Sequence, residues 1–332
     1  MYSSSLNIFL IQSPLQLLNA MEAKHHFCLP SEDCILIIVG NQDSYSTRLI
    51  NSATEPSDWS SIIRVSDKGI GSFYSRKIQL NKIATELTGA RRVFIGDYLP
   101  DHLRHFANTI PTEEIYVLDD GNVTLHLFNI LADGGLKFGL KNLLKKIVFG
   151  INNQNIPHAK FFTIYSSSTH SEQIVPNNYS YLKSKFLNSA ESDTIYFLGA
   201  PISERNIIKE EYYFQYLDKI FEYFTNETLS YIPHRNESEI KLRTIENRYN
   251  IQITQPNKCI ELSLCEIKPK LISSFYSSAL DTIDNIFDRR IPIKSFLIPS
   301  EAISKKHRKE IESVYENYRK RLSDSFEIIS LM

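Results

Sequence analysis

Short apolar runs alternate along this chain with segments of helical spacing, and that rhythm limits the fold more than any other feature. Leu6–Ile11 reads as a buried strand, and Pro14 opens a helix over Leu15–Phe27. Cys34–Val39, Ile62–Val65, Arg92–Ile95 and Ile115–Leu118 read as further strands, with helices expected over Lys77–Leu87 and His102–Asn108. The second half repeats the pattern. Strands are expected over Thr194–Leu198, Leu229–Ile232, Leu271–Ser273 and Ser295–Ile298, the last of them. Helices are expected over Lys209–Phe224 and Ser304–Leu322, and Cys259–Leu264 fits either a strand or a short helix. Strand, helix, strand in sequence predicts an α/β fold with parallel sheets covered on both faces. The 332 residues exceed what one core holds well. The expectation is two Rossmann-like domains, 1–155 and 156–332, facing a central cleft, with the C-terminal helix a candidate to pack back on the first domain.

Composition narrows the function classes. The charges nearly cancel, at 37 Lys+Arg against 38 Asp+Glu, so no basic face for nucleic acid is expected. The apolar runs have strand length, far short of the ~20 residues of a spanning helix. Leu6–Ile11 is too short for a signal peptide, lacks a basic leader and is broken by Gln12. Cys28, Cys34, Cys259 and Cys265 form no CxxC pair, which fits reduced thiols in the cytoplasm. Residues 133–156 differ in character: Lys137, Lys141, Lys145 and Lys146 sit among apolar residues. A basic amphipathic helix there would suit peripheral contact with the cytoplasmic face of the inner membrane, or simply a solvated helix face.

Polar clusters follow the expected strands, where α/β sheets carry their reactive groups. Ser13 precedes Pro14. Asp119-Asp120-Gly121 sets two carboxylates beside a turn glycine; like charges repel, which raises one proton affinity and favours a general base. The same triplet also suits a capped Asp-Gly turn. Gly199 ends one strand, and Pro233 projects His234, followed by Arg235, from the end of another. Ser277-Ser278 could donate to a phosphate or simply cap a helix. Glu261 could accept a ribose diol or lie on the surface. No D-x-D triplet occurs, so no metal-bound diphosphate is expected.

These elements, in this order, resemble the bacterial sialyltransferases of GT-B fold. The segments Leu10–Ala20 and Ile272–Leu280 are similar to the lipooligosaccharide sialyltransferases of glycosyltransferase family 52. The resemblance implies an inverting sialyltransferase moving sialic acid from CMP-N-acetylneuraminate to a sugar hydroxyl of a bacterial surface glycan, lipooligosaccharide or capsule. It implies Asp120 as base with Asp119 as its orienting neighbour. His234, Ser277 and Ser278 would hold the donor phosphate, and Glu261 the ribose. Gly121, Ser13, Gly199 and Arg235 would complete substrate binding. No metal and no cofactor is implied; the partners are the CMP-sugar donor and the glycan acceptor, with a homodimer left open. The chain departs from the family's His-Pro order, having Pro233 before His234 and Arg235 after it. Other donors (CMP-Kdo, another CMP-nonulosonate, a UDP-sugar) and an inactive nucleotide- or glycan-binding module stay open on the residues alone.

Overall fold

A computed structural model describes residues 5–40, 44–66, 72–136, 150–167, 170–186 and 189–331. The chain divides into two compact units, Met1–Tyr181 and Leu182–Met332. The expected boundary at 155 falls too early. Two short strands after it pair onto the first sheet and carry that unit on to Tyr181.

The first unit holds β1 (Asn7–Ile11), β2 (Cys34–Val39), β3 (Ser61–Val65), β4 (Ala90–Ile95), β5 (Thr112–Leu118), β6 (Lys160–Thr163) and β7 (Ile174–Pro176). They form one sheet in the order β3-β2-β1-β4-β5-β6-β7, parallel throughout. Its helices are α1 (Pro14–His26), α2 (Ser44–Ala53), α3 (Ser72–Leu87), α4 (Asp101–Thr109) and α5 (Asn122–Ala132). Successive strand residues face opposite sides, so the central strands feed two cores. Ile8, Leu10, Val93, Ile95 and Val117 lie in one. Phe9, Ile11, Phe94, Tyr116 and Leu118 lie in the other. Burial on both faces is why β1 and β2 read as unbroken apolar runs. On the second face Phe94 stacks between Phe9, at 4.4 Å, and Tyr116, at 5.0 Å.

The second unit opens within α6 (Ser180–Phe186) and holds α7 (Glu210–Tyr223), α8 (Glu239–Tyr249), α9 (Ile260–Glu266), α10 (Ser278–Ile286) and α11 (Arg308–Arg319). Its strands are β8 (Ala190–Glu191), β9 (Ile195–Leu198), β10 (Leu229–Ile232), β11 (Gln252–Ile253), β12 (Ile267–Lys268), β13 (Leu271–Ser274), β14 (Ile293–Leu297) and β15 (Phe326–Ser330). Six form a parallel sheet in the order β11-β10-β9-β13-β14-β15, and β8 pairs with β12. The segment around Glu261 is therefore a helix, and β15, not β14, is the last strand. The C-terminal helix α11 packs within its own unit: the Tyr315 hydroxyl donates to the Phe296 carbonyl at 3.0 Å. The basic stretch carrying Lys137, Lys141, Lys145 and Lys146 lies outside the described residues. Among the described residues no helix is long and apolar enough to cross a membrane.

In both sheets the strand order reverses beside the first strand laid down. The switch falls between β1 and β4 in the first unit and between β9 and β13 in the second. Connections leave in opposite directions there, opening a crevice at the carboxyl ends. Trp59, the chain's one tryptophan, meets Phe9 edge-on at 5.2 Å and so reports on the first unit. Phe94→Ala should destabilise that unit by about 3–5 kcal/mol. The shift of the Trp59 fluorescence transition in urea measures it; a loss under ~1 kcal/mol would mean the aromatic stack is not a central support.

Candidate active site

In the first unit the carboxyl ends of β1, β4 and β5 bring Ser13, Asp97 and Asp119-Asp120-Gly121 to one edge. Asp119 is buried and its carboxylate is saturated. Oδ1 accepts from the Gly121 amide at 2.9 Å and the Thr124 hydroxyl at 3.0 Å. Oδ2 accepts from the Thr163 hydroxyl at 2.8 Å and the Ile164 amide at 3.1 Å. Burial pushes its proton affinity above the usual carboxylate range, and these four donors oppose the rise. A carboxylate so bound is a structural tie and has no lone pair left for a substrate.

Asp120 is different. It is half-buried, and its carboxylate accepts from the Ser13 hydroxyl at 3.4 Å. Burial, with Asp97 on the neighbouring strand end, drives its pKa well above the ordinary value. Burial likewise raises Asp97, whose carboxylate accepts from the Leu99 amide at 2.8 Å. Ser13 caps α1, accepting from the Gln16 amide at 3.2 Å. Gly121 has φ 64° and ψ −129°, a conformation open to glycine almost alone, and it turns the chain from β5 into α5.

In the second unit β10 ends in Pro233-His234. The His234 amide donates to Glu237 Oε2 at 2.8 Å, and the Asn236 amide donates to His234 Nδ1 at 3.1 Å. Nδ1 is therefore an acceptor and the neutral ring carries its proton on Nε2. Burial, then the charges of Arg235 and Arg205, push the imidazole down to about 4. Glu237 is held in turn by the Tyr231 hydroxyl at 2.6 Å and by Lys241 Nζ at 2.9 Å. Lys241 is itself buried, with Nζ 3.6 Å from the centre of the Tyr213 ring. A Cβ on Gly199 would lie 2.2 Å from Glu237 Oε2 and 2.4 Å from the Tyr231 hydroxyl. Gly199, expected to bind substrate, thus makes room for the carboxylate that holds the His234 loop.

Ser277 caps α10, its Oγ accepting from the Ala279 amide at 3.2 Å. The Tyr318 hydroxyl clamps the same residue, accepting from its amide at 3.0 Å and donating to its carbonyl at 2.8 Å. The Ser277 hydroxyl proton can still be donated to a ligand. Glu261 is not on the surface: it is 5 % exposed, and burial raises its pKa. The neighbouring Cys259 thiol opposes that rise, and among the described residues Glu261 has no ion-pair partner. Arg235 is exposed.

The structure groups Ser13, Asp119, Asp120 and Gly121 at the first sheet's edge. Gly199, His234 and Ser277-Ser278 lie at the ends of adjacent strands of the second. Asp97, Glu237, Lys241 and Tyr318 escaped the sequence reading. Asp97 had a visible signal, since Gly96-Asp97 follows an apolar run as Asp119-Asp120 does. Among the described residues no group of three or more His, Cys, Asp or Glu side chains could hold a metal ion.

No protein-family model matches the chain, and no curated protein matches it. Solved structures do. The 2,6-sialyltransferase of Photobacterium sp. JT-ISH-224, solved with CMP and lactose, is 12% identical with TM-score 0.55. That match covers 98% of this chain and 78% of that one. A Listeria monocytogenes protein assigned as a UDP-N-acetylglucosamine 2-epimerase is 9% identical, TM-score 0.56, over 98% of this chain and 93% of its own. A variant of Os79 from O. sativa, solved with UDP, is 10% identical, TM-score 0.51, over 95% and 92%. At such identities the likeness is one of fold: two Rossmann-like units in the GT-B class.

His234 should titrate near 4, and an anion bound beside the ring should move it upward, because negative charge favours the imidazolium. Following its ring signals by NMR against pH tests this. A titration near 6.5 in the free protein would show the ring solvated and not held as described.

Proposed function

We propose that the protein is an inverting glycosyltransferase, akin to the family 52 sialyltransferases. It would carry sialic acid from CMP-N-acetylneuraminate to a sugar hydroxyl of a bacterial surface glycan, lipooligosaccharide or capsule precursor. One observation carries this reading: Asp120, at the end of β5 and 3.4 Å from Ser13 at the end of β1, is a half-buried carboxylate of raised proton affinity beside the switch point of the first sheet. That is what a base for a sugar hydroxyl requires, since a carboxylate of ordinary pKa holds a proton too weakly.

In the proposed reaction Asp120 takes the proton of the acceptor hydroxyl as its oxygen attacks the anomeric carbon. The bond from that carbon to the CMP phosphate oxygen breaks on the opposite face, which inverts configuration. The second unit suits the leaving group. His234 offers an Nε2 proton, and Ser277 and Ser278 offer hydroxyls at the start of α10, whose first amides and dipole favour an anion. Glu261, buried and, among the described residues, without an ion-pair partner, suits the ribose diol. A single phosphate held by such donors needs no metal, and none is proposed. The Photobacterium sialyltransferase of the same fold was solved with CMP, which agrees with this donor. A cytosolic donor places the reaction on the cytoplasmic side, at the inner membrane where its acceptor would be assembled.

Incubation in EDTA with CMP-N-acetylneuraminate, CMP-Kdo or UDP-glucose and a glycan panel, read by mass spectrometry, should give transfer from the first alone. Transfer only from UDP-glucose, or only after a divalent ion is restored, overturns the donor. Asp120→Asn should lower turnover about 10²–10⁴-fold and leave CMP affinity unchanged. Near-normal turnover would remove Asp120 as base.

The double variant Ser277→Ala/Ser278→Ala keeps the helix amides and loses two hydroxyl donors. Each hydrogen bond to a charged group contributes roughly 1.5–3 kcal/mol, so with both lost CMP should bind about a hundredfold more weakly or worse. Calorimetric titration decides; unchanged affinity would leave the serines as caps alone.

A further inference from the structure

The peptide that joins Asp119 to Asp120 lies just past Leu118, the last paired residue of β5. Both of its polar groups are nevertheless held, each by a side chain. The Asp119 carbonyl accepts from Asn19 Nδ2 at 2.9 Å, and the Asp120 amide donates to the Thr124 hydroxyl at 2.9 Å. Asn19 stands in the middle of α1 and Thr124 in the first turn of α5, so two helices grip one peptide. A helix face that covers a sheet is ordinarily apolar, and an amide buried there must find partners. Asn19 is such an amide, at 0 % exposure.

The partners of its oxygen lie far along the chain. Asn19 Oδ1 accepts from Asn177 Nδ2 at 2.9 Å and from the Tyr179 hydroxyl at 2.8 Å. Asn177 and Tyr179 are both buried, and both belong to the short stretch after β7 by which the chain leaves the first unit. That stretch is shaped to deliver them. Tyr179 has φ 50°, a left-handed backbone that a bulky side chain rarely adopts, and the Asn177 side chain accepts its amide at 3.0 Å. The Asn177 amide donates to the Thr163 carbonyl at 3.0 Å, and the Thr163 hydroxyl donates to Asp119 Oδ2 at 2.8 Å. The hydrogen bonds thus close a ring, from Asp119 through Thr163, Asn177 and Asn19 back to Asp119.

We propose that Asn19 is a positioning residue for Asp120: it fixes the peptide in front of that carboxylate, and it makes the placement depend on Asn177 and Tyr179 at the exit of the first unit. This rests on the reading of Asp120 as the base. A peptide is planar, so its orientation sets the direction in which the next residue leaves the backbone. With the carbonyl held from α1 and the amide from α5, the plane between Asp119 and Asp120 cannot turn without leaving a polar group unpaired. The position also needs an amide side chain. It must donate toward Asp119 and accept twice on its other side; a carboxylate has no donor, and an aliphatic chain has neither.

Two variants test the chain of contacts at different links. Asn19→Leu removes the donor and the acceptor at similar size, and Tyr179→Phe removes one anchor while keeping its shape. Trp59 fluorescence checks that each is folded. In Asn19→Leu the Asp120 amide, followed by NMR, should exchange with solvent about tenfold faster, as for the loss of one hydrogen bond, while amides of β1 and β4 keep their rates. Turnover should fall about tenfold or more, with CMP affinity and the KM for the donor unchanged, because a misplaced base affects the chemical step. Tyr179→Phe should move both readings the same way by about threefold. The double variant should be no worse than Asn19→Leu alone, because Tyr179 acts through Asn19. Wild-type exchange at the Asp120 amide in Asn19→Leu overturns the proposal, and so do wild-type turnover or additive losses. If Asn19→Leu does not fold, Tyr179→Phe decides: wild-type exchange and turnover there overturn the proposal. The exchange measurement needs no sugar donor. If the wild-type protein transfers no sugar, the reading of Asp120 as base fails, while the amide still shows whether Asn19 holds the peptide.

Discussion

The buried carboxylate of Asp119 fastens three parts of the first unit at once. Its four donors come from the β5–α5 turn, the first turn of α5 and the end of β6. A lone carboxylate taken out of water costs several kcal/mol, and only a full set of partners makes the burial tolerable. The partners must therefore stand where they do, and the turn that presents Asp120 is held with them. Gly121 follows from the same constraint, since the chain must bend sharply enough for its amide to reach back to Asp119. A hydrophobic residue at position 119 would leave two amides and two hydroxyls unsatisfied.

The second unit solves the same problem with other residues. Glu237 takes the place of Asp119: it is buried, accepts the His234 amide and so fixes the loop that displays the imidazole. Here the charge is compensated by Lys241, itself buried and stacked on Tyr213. In each unit a buried carboxylate ties down the strand-end loop through its backbone, and a half-buried titratable side chain stands within three residues of it. Ser277 is presented by a third device, with one phenol, Tyr318, occupying both its amide and its carbonyl. Binding and catalytic groups placed on loops need such supports to stay within reach of a fixed geometry.

Strand ends could be read from the sequence because burial on both faces leaves an unbroken apolar run, and a polar residue after such a run lies at the carboxyl edge. That is how Ser13, Asp120 and His234 became visible. The supports were not visible, because they pair across long separations: Thr163 stands 44 residues from Asp119, and Tyr318 stands 41 from Ser277. Local spacing carries no trace of such pairs. The domain boundary was misplaced for a related reason. Strands β6 and β7 are only four and three residues long, and β7 ends in Pro176, which an edge strand tolerates. Glu261 read equally well as a surface residue, since nothing in Cys259–Leu264 shows which side of a short helix is covered. Gly199 was singled out for its place at a strand end, and nothing local shows that its missing side chain makes room for Glu237.

Burial shifts Asp120 and His234 in opposite directions, and the proposed transfer reaction would use both shifts. Loss of water disfavours whichever form is charged, so it raises a carboxylic acid and lowers an imidazole. At Asp120 the result is an anion with greater hunger for a proton, sharpened by Asp97 and restrained by Ser13. At His234 the result is a neutral ring that offers a proton on Nε2 yet adds no positive charge beside Arg205 and Arg235. An arriving phosphate reverses that balance, since its charge makes the imidazolium favourable. In the proposed reaction negative charge grows on the phosphate as the glycosidic bond breaks, so the pull of His234 strengthens along the same coordinate. Interactions that grow toward the transition state speed a reaction more than those already complete in the bound substrate. In the proposed reaction, desolvation at two strand ends would therefore prepare a base and a leaving-group donor from side chains that would be unremarkable in water.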